Sequence, residues 1–215
     1  MLEETDYLEH CNIFAFINKD ECLLFDCGVG LANIKQYLQS LGINKFKVIL
    51  THSHFDHVGG LIFFEDSEVF ALKLINDHLM DNNLGLDYLV QKDFRTEIEY
   101  RSVIDNFNTS SYLCQLVTSE ILEIGNYKFK TINLPGHSKD SYVYYDETNG
   151  FMISGDVLYR GNLYYADENR QTYLKTLKIF LNFDISILFP GHNEIIKGKE
   201  SISSLIYRQI KELTT

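Results

Sequence analysis

The stretch Thr51-His52-Ser53-His54-Phe55-Asp56-His57-Val58-Gly59-Gly60 constrains this chain more than any other. His52, His54, Asp56 and His57 place four metal-ligand residue types within six consecutive positions. The residues before them, Lys45 to Leu50, are apolar and β-branched enough to form a strand. The donors therefore leave the carboxyl end of a buried strand and enter a turn. Alternate side chains of an extended segment share a side, so His52 and His54 can face one ion together. Asp56 and His57 are adjacent and are expected to diverge, with at least one reaching a second ion. Gly59 and Gly60 allow the backbone to turn tightly beside the metals. A merely solvated loop fits poorly with three histidines and an aspartate at this spacing.

This run resembles the His-x-His-x-Asp-His signature of the metallo-β-lactamase-fold hydrolases. The rest of the chain supplies the partners such a signature needs. There are only two prolines, Pro135 and Pro190, and each follows an apolar strand and directly precedes Gly-His. Proline ends a ladder and glycine permits a sharp turn, so His137 and His192 are each presented at a strand's carboxyl end. Asp156 closes another apolar run, Phe151 to Ser154. The order His52, His54, Asp56, His57, His137, Asp156, His192 fills all seven positions of the family's dinuclear pattern.

The resemblance implies that His52, His54 and His137 hold one ion. Asp56, His57 and His192 hold the second, and Asp156 bridges both. It also implies that an acidic residue near Asp26 sits behind the metals and orients a ligand; a turn aspartate capping the next helix is an equal reading of Asp26. Imidazole and carboxylate donors suit Zn²⁺ and also Fe or Mn, and two divalent ions, zinc by preference, are expected. Such ions bring water to the hydroxide form at neutral pH, placed to attack a bound carbonyl. Asp56 is then positioned to accept a hydrogen bond from that nucleophile. A purely structural metal would be closed by four ligands and often rich in Cys, unlike this donor set.

A thiolate leaving group needs less protonation than an amine, because a thiol's pKa is near 8.5. Thioester or ester hydrolysis is therefore the expected reaction. The segment Ser154-Gly155-Asp156-Val157-Leu158-Tyr159-Arg160-Gly161 is similar to that of glyoxalase II-type and related acyl-thioesterases. The Gly-rich, Arg-containing run expected next is replaced by Asn162-Leu163-Tyr164-Tyr165-Ala166-Asp167, which weakens the case for a glutathione thioester. Tyr159 is a candidate for touching a substrate carbonyl, as a tyrosine does in the similar acyl-homoserine lactonases; a core aromatic is the competing reading. Arg160 and Lys139 are read as solvated surface charge. Lactonase action on the same site is one alternative, and a mononuclear iron oxidoreductase similar to the persulfide dioxygenases is another. The intact second-site positions favour hydrolysis, and His54 argues against a flavodiiron-like role.

Length and composition bound the rest. The 215 residues suffice for one well-filled core and carry 45% hydrophobic and 23% charged residues, as in an ordinary globular chain. A net charge of −11 argues against a general grip on nucleic acid or an anionic membrane. No run approaches the length of a membrane span. The start Met1-Leu2-Glu3-Glu4 is acidic, and Cys11, Cys22, Cys27 and Cys114 form no Cys-x-x-Cys pair. Buried reduced thiols in a cytoplasmic protein are expected. The partner is then a small acyl substrate, with a homodimer left open.

The pattern predicts strands at 12–17, 22–25, 45–50, 68–71, 115–124, 127–134, 141–146, 151–154 and 185–189, and helices at 31–41, 61–64, 72–80, 169–181 and 201–213. This pattern alone gives a mixed α/β class. The resemblance implies a four-layer αββα sandwich, two mixed sheets flanked by helices, in a single domain over residues 1–215. Segment 81–114 is a candidate lid or substrate wall, with ordinary helical packing or a dimer contact an equal reading. His10 and His78 are read as surface histidines.

Overall fold

The computed structural model describes residues 11–64, 68–80, 115–116 and 120–215. The candidate lid at 81–114, His10 and the side chain of His78 lie outside the described residues. The chain divides into two compact units, Met1–Thr118 and Ser119–Thr215. Each has its own mixed sheet flanked by helices, so the class is α/β.

The first unit carries β1 (Phe14–Asn18), β2 (Glu21–Phe25), β3 (Lys45–Ile49), β4 (Val69–Ala71) and β5 (Gln115–Leu116), in that spatial order. β1 and β2 form an antiparallel hairpin, and β2 through β5 are parallel. Parallel strands are covered on both faces, and the run Cys22 to Phe25 is accordingly buried throughout. Helix α1 (Ile34–Ser40) starts later than the apolar spacing suggests, because the Asn33 side chain accepts from the Gln36 N–H at 2.9 Å and caps it there. A short helix α2 (Phe55–Val58) runs into a 3-10 turn over Gly59–Phe63. Helix α3 (Lys73–Met80) follows β4.

The second unit orders its strands β11-β10-β9-β8-β7-β6, from β6 (Ile121–Ile124), β7 (Tyr127–Asn133), β8 (Tyr142–Asp146), β9 (Phe151–Gly155), β10 (Ile187–Pro190) and β11 (Ile196–Lys197). Only β9 and β10 pair in parallel. Helices α4 (Arg170–Phe180) and α5 (Lys199–Glu212) bury Tyr173, Leu177, Phe180, Ile202, Leu205 and Ile206. These pack in one core with Val143, Tyr145, Met152 and Leu188 of the sheet.

One predicted strand divides. Gln115 to Ile124 reads as continuous, yet β5 belongs to the first sheet and β6 to the second. Alternating polarity marks residues that can be extended; it does not mark which sheet takes them. The two-residue β11 has too few positions to show a period. Among the described residues no helix is long and apolar enough to cross a membrane.

Candidate metal centre

Each unit presents its own donors, and the two sets are built differently. In the first unit, β3 ends at Ile49 and the chain passes through Thr51 to α2, with His54 extended at the helix N-terminus (φ −65°, ψ 145°). The His52 ring lies edge-on to His54 at 4.6 Å and tilted against His57 at 4.2 Å between centroids. Asp56 and His57 do not diverge as adjacency suggests. Both lie on α2, and Asp56 Oδ2 approaches His57 Nε2 to 3.5 Å.

Behind these rings stands Asp26, nearly fully buried, in the turn that leaves β2. Its carboxylate accepts from the Thr51 N–H at 2.8 Å, the Thr51 hydroxyl at 2.8 Å and His57 Nδ1 at 2.8 Å. The Thr51 hydroxyl hydrogen is thus directed to Asp26, so Thr51 Oγ1 accepts from His52 Nδ1 at 3.1 Å. One carboxylate therefore sets two imidazoles, His57 directly and His52 through a threonine. Both are left with Nε2 unprotonated and available as a donor to a metal. Around α2, Cys27 N–H donates to the His57 carbonyl at 2.9 Å and the Gly60 N–H to the Gly28 carbonyl at 3.0 Å. A Cβ on Gly59 would strike the Val29 carbonyl oxygen, and one on Gly60 that of Cys27. The paired glycines thus serve the close packing of α2 on the 27–29 turn.

In the second unit, His137 and His192 converge on one oxygen. His192 Nε2 lies 3.1 Å and His137 Nε2 3.6 Å from Asp156 Oδ2. His137 Nδ1 donates to the Tyr164 carbonyl at 2.8 Å, again leaving Nε2 as the donor atom. Helix α4 fixes the turns behind both. The Tyr173 hydroxyl donates to the Asp156 and Val157 carbonyls at 3.0 and 2.9 Å. Burial raises its pKa well above the usual phenol value, so it stays a donor. Thr176 Oγ1 donates to the Pro135 carbonyl, and the Tyr173 ring fills the space a Cβ on Gly136 would need. The Gly191 N–H donates to the Gly155 carbonyl at 2.8 Å, joining the turns that follow β9 and β10.

The other candidates are engaged elsewhere through their polar groups. The Tyr159 hydroxyl is engaged with main chain at Asn162 and Tyr164. Arg160 pairs with Glu194 at 2.8 Å on the surface. Burial pushes the Cys11 and Cys22 thiols up to about 12, so neither is a thiolate at neutral pH. Two contributors escaped the sequence reading. Thr51 adjoins the signature without a donor role of its own, and the Tyr164 carbonyl is main chain, which no residue type announces.

The donor spacing suits cations. Two ligands each about 2.0–2.1 Å from a tetrahedral ion lie about 3.3 Å apart. The separations of 3.1, 3.5 and 3.6 Å bracket that value. In neutral His57 and His137, whose Nδ1–H groups are already engaged, an Nε2 lone pair faces a carboxylate oxygen, which is repulsive unless a positive charge lies between. Protonating His52, His54 and His57 together would set like charges 4.2 and 4.6 Å apart. The side chains of His52, His54, Asp56, His57, His137, Asp156 and His192 could thus hold metal ions.

The chain is similar to several known proteins. The sequence is 29% identical over 190 residues to the probable metallo-hydrolase YqgX of Bacillus subtilis, covering 87% of this chain and 83% of that one. It is 25% identical to the hydroxyacylglutathione hydrolase GloC of Haemophilus influenzae, covering 87% of both. It is 26% identical to the acyl-coenzyme A thioesterase MBLAC2 of Gallus gallus, covering 71% of this chain and 59% of that protein's length. Among solved structures, the BLEG-1 B3 metallo-β-lactamase superposes with a TM-score of 0.67 at 23% identity, over 95% of each chain. The two mixed sheets with their helices are therefore a fold shared with the metallo-β-lactamases. The profile of the metallo-beta-lactamase superfamily matches residues 6–112 and 117–192, taking in every donor described above. A fold, a donor chemistry and a match of this extent point one way: the chain belongs to the metallo-β-lactamase superfamily and is a hydrolase.

Proposed function

We propose that this chain is a dinuclear metal-dependent hydrolase that cleaves a small thioester or ester. One observation carries the reading: in both units imidazole Nε2 atoms face carboxylate oxygens at ligand–ligand spacing, with the opposite nitrogens of His57 and His137 already bonded. His52, His54 and His137 take one ion in this reading, Asp56, His57 and His192 the second, and Asp156 bridges them. Divalent ions held there would supply a lowered pKa for water and polarisation of the acyl carbonyl.

The chain's own residues supply the rest. Asp26 keeps His57 and, through Thr51, His52 in the tautomer that presents Nε2. Asp56 offers a carboxylate that can hold and steer the nucleophile's proton. A thiolate leaving group needs no strong acid to protonate it, which favours a thioester. The relatives named for acyl-coenzyme A and hydroxyacylglutathione support the same preference. A reducing, cytoplasmic setting fits the buried Cys11, Cys22 and Cys27, none of them in a disulfide.

The test is metal analysis of protein purified without added metal, with activity screened on acyl-coenzyme A, acylglutathione and lactone substrates. Two divalent ions per chain and a preference for thioesters are expected. Asp156→Ala is expected to lose bound metal and at least about a hundredfold in kcat/KM. Full activity in that variant would defeat the bridging role. One iron per chain with oxygen uptake would replace hydrolysis by oxidation.

A further inference from the structure

The histidine donors of the second unit lean on a loop that is itself exposed. Tyr164 is 57% exposed, yet its carbonyl accepts the His137 Nδ1–H at 2.8 Å. Exposed loops ordinarily sample several conformations, and an imidazole bonded to one would share that freedom.

Tyr159 removes it. The residue is 3% exposed, and its hydroxyl both donates to the Asn162 carbonyl at 3.0 Å and accepts from the Tyr164 N–H at 3.2 Å. Two bonds on one oxygen fold residues 162–164 around a fixed point. That point is anchored in turn. The Tyr159 carbonyl accepts from Gln209 Nε2 of α5 at 2.6 Å, and the Arg160 carbonyl accepts from Asn193 Nδ2 at 2.6 Å. Asn193 directly follows His192, and the Tyr159 ring stands edge-on to His192 with centroids 5.6 Å apart.

We infer that Tyr159 is a positioning residue whose hydroxyl fixes the Tyr164 carbonyl, which holds the His137 imidazole in its Nδ1–H form with Nε2 aimed at Asp156. This rests on the reading of His137 and Asp156 as metal ligands. It gives the tyrosine hydroxyl work remote from the substrate. It also accounts for a phenol where a phenylalanine would pack equally well. Phenylalanine would keep the ring against His192 but release the loop. The freed Asn162 and Tyr164 backbone groups lie on an exposed segment and can bond water instead. Loop order and tautomer are therefore lost while the fold is little disturbed.

The experiment uses Tyr159→Phe in full-length protein with ¹⁵N-labelled histidine, stripped of metal. Long-range imidazole spectra are recorded at a pH where the rings are neutral. In the wild type His137 is expected to carry its proton on Nδ1; in Tyr159→Phe a mixture of tautomers is expected. Zn²⁺ titration should then show affinity about tenfold weaker in the variant. Tyr207→Phe, at a position 60% exposed on α5, should match the wild type in both. A Tyr159→Phe protein with unchanged tautomer and unchanged affinity overturns the inference. If that variant does not fold, the wild-type spectrum decides: a His137 proton on Nε2 overturns it and one on Nδ1 supports it. Failure of the wild type to bind metal would instead sink the proposed function, while the tautomer would still judge how His137 is held.

Discussion

Asp26 adopts a left-handed backbone (φ +60°), a conformation aspartate and asparagine tolerate better than other residues with a Cβ. That makes Asp26→Asn a clean probe, since it removes the charge while keeping the turn accessible. The amide cannot accept on both of its heavy atoms, so at least one of the three donors now facing Asp26 loses its partner. Metal affinity is expected to fall about 10–100-fold at both positions. Thr51→Val keeps the volume and the direct bond to His57 but cuts the relay to His52. It should weaken one equivalent of metal and spare the other. Isothermal titration with Zn²⁺ distinguishes the two patterns, and identical profiles would refute the relay. At this scale the sequence is only half informative. His52, His54, Asp56 and His57 are legible because their neighbours in the chain are their neighbours in space. The Thr51–Asp26 and His137–Tyr164 hydrogen bonds join distant residues, and nothing local marks them.

Secondary elements were legible where they are long or sharply bounded. Gly42, at φ +85°, ends α1 where its position suggests, and the Pro-Gly-His turns close their strands as expected. The failures have a common cause. Pairing partners, unlike periodicity, are settled by the rest of the fold, so the divided run of β5 and β6 and the two-residue β11 went unseen. The glycines after the signature read as a turn device, and their larger role is contact. Gly60→Ala would drive a methyl into the Cys27 carbonyl oxygen and push α2 away from the 27–29 turn. Overpacking of this kind costs about 1–3 kcal/mol. A lowered thermal midpoint and weakened metal binding should appear together, because the same helix carries Asp56 and His57. Calorimetry of the metal-free protein beside a titration checks this. A variant losing only stability would separate the packing from the site.

For the molecule as a whole, the proposed ligand set draws on both units, four donors from residues before Thr118 and three from residues after Ser119. Metal bound by that set would then stabilise the folded state. Binding to the folded state alone contributes RT ln(1 + [L]/Kd), about 2.7 kcal/mol at a hundredfold excess over Kd. Chelation is therefore expected to lower the melting temperature by several degrees, with recovery that scales with the logarithm of added Zn²⁺. A melting temperature indifferent to chelator would show that the folded chain holds no metal. Helix α4 adds a separate consequence. It grips the turns at Pro135 and Asp156 through their carbonyl oxygens. Where a donor stands is thereby divorced from what the donor is. Such a framework tolerates exchange of one coordinating group for another, and so lends itself to retuning for a different element or oxidation state without rebuilding the scaffold.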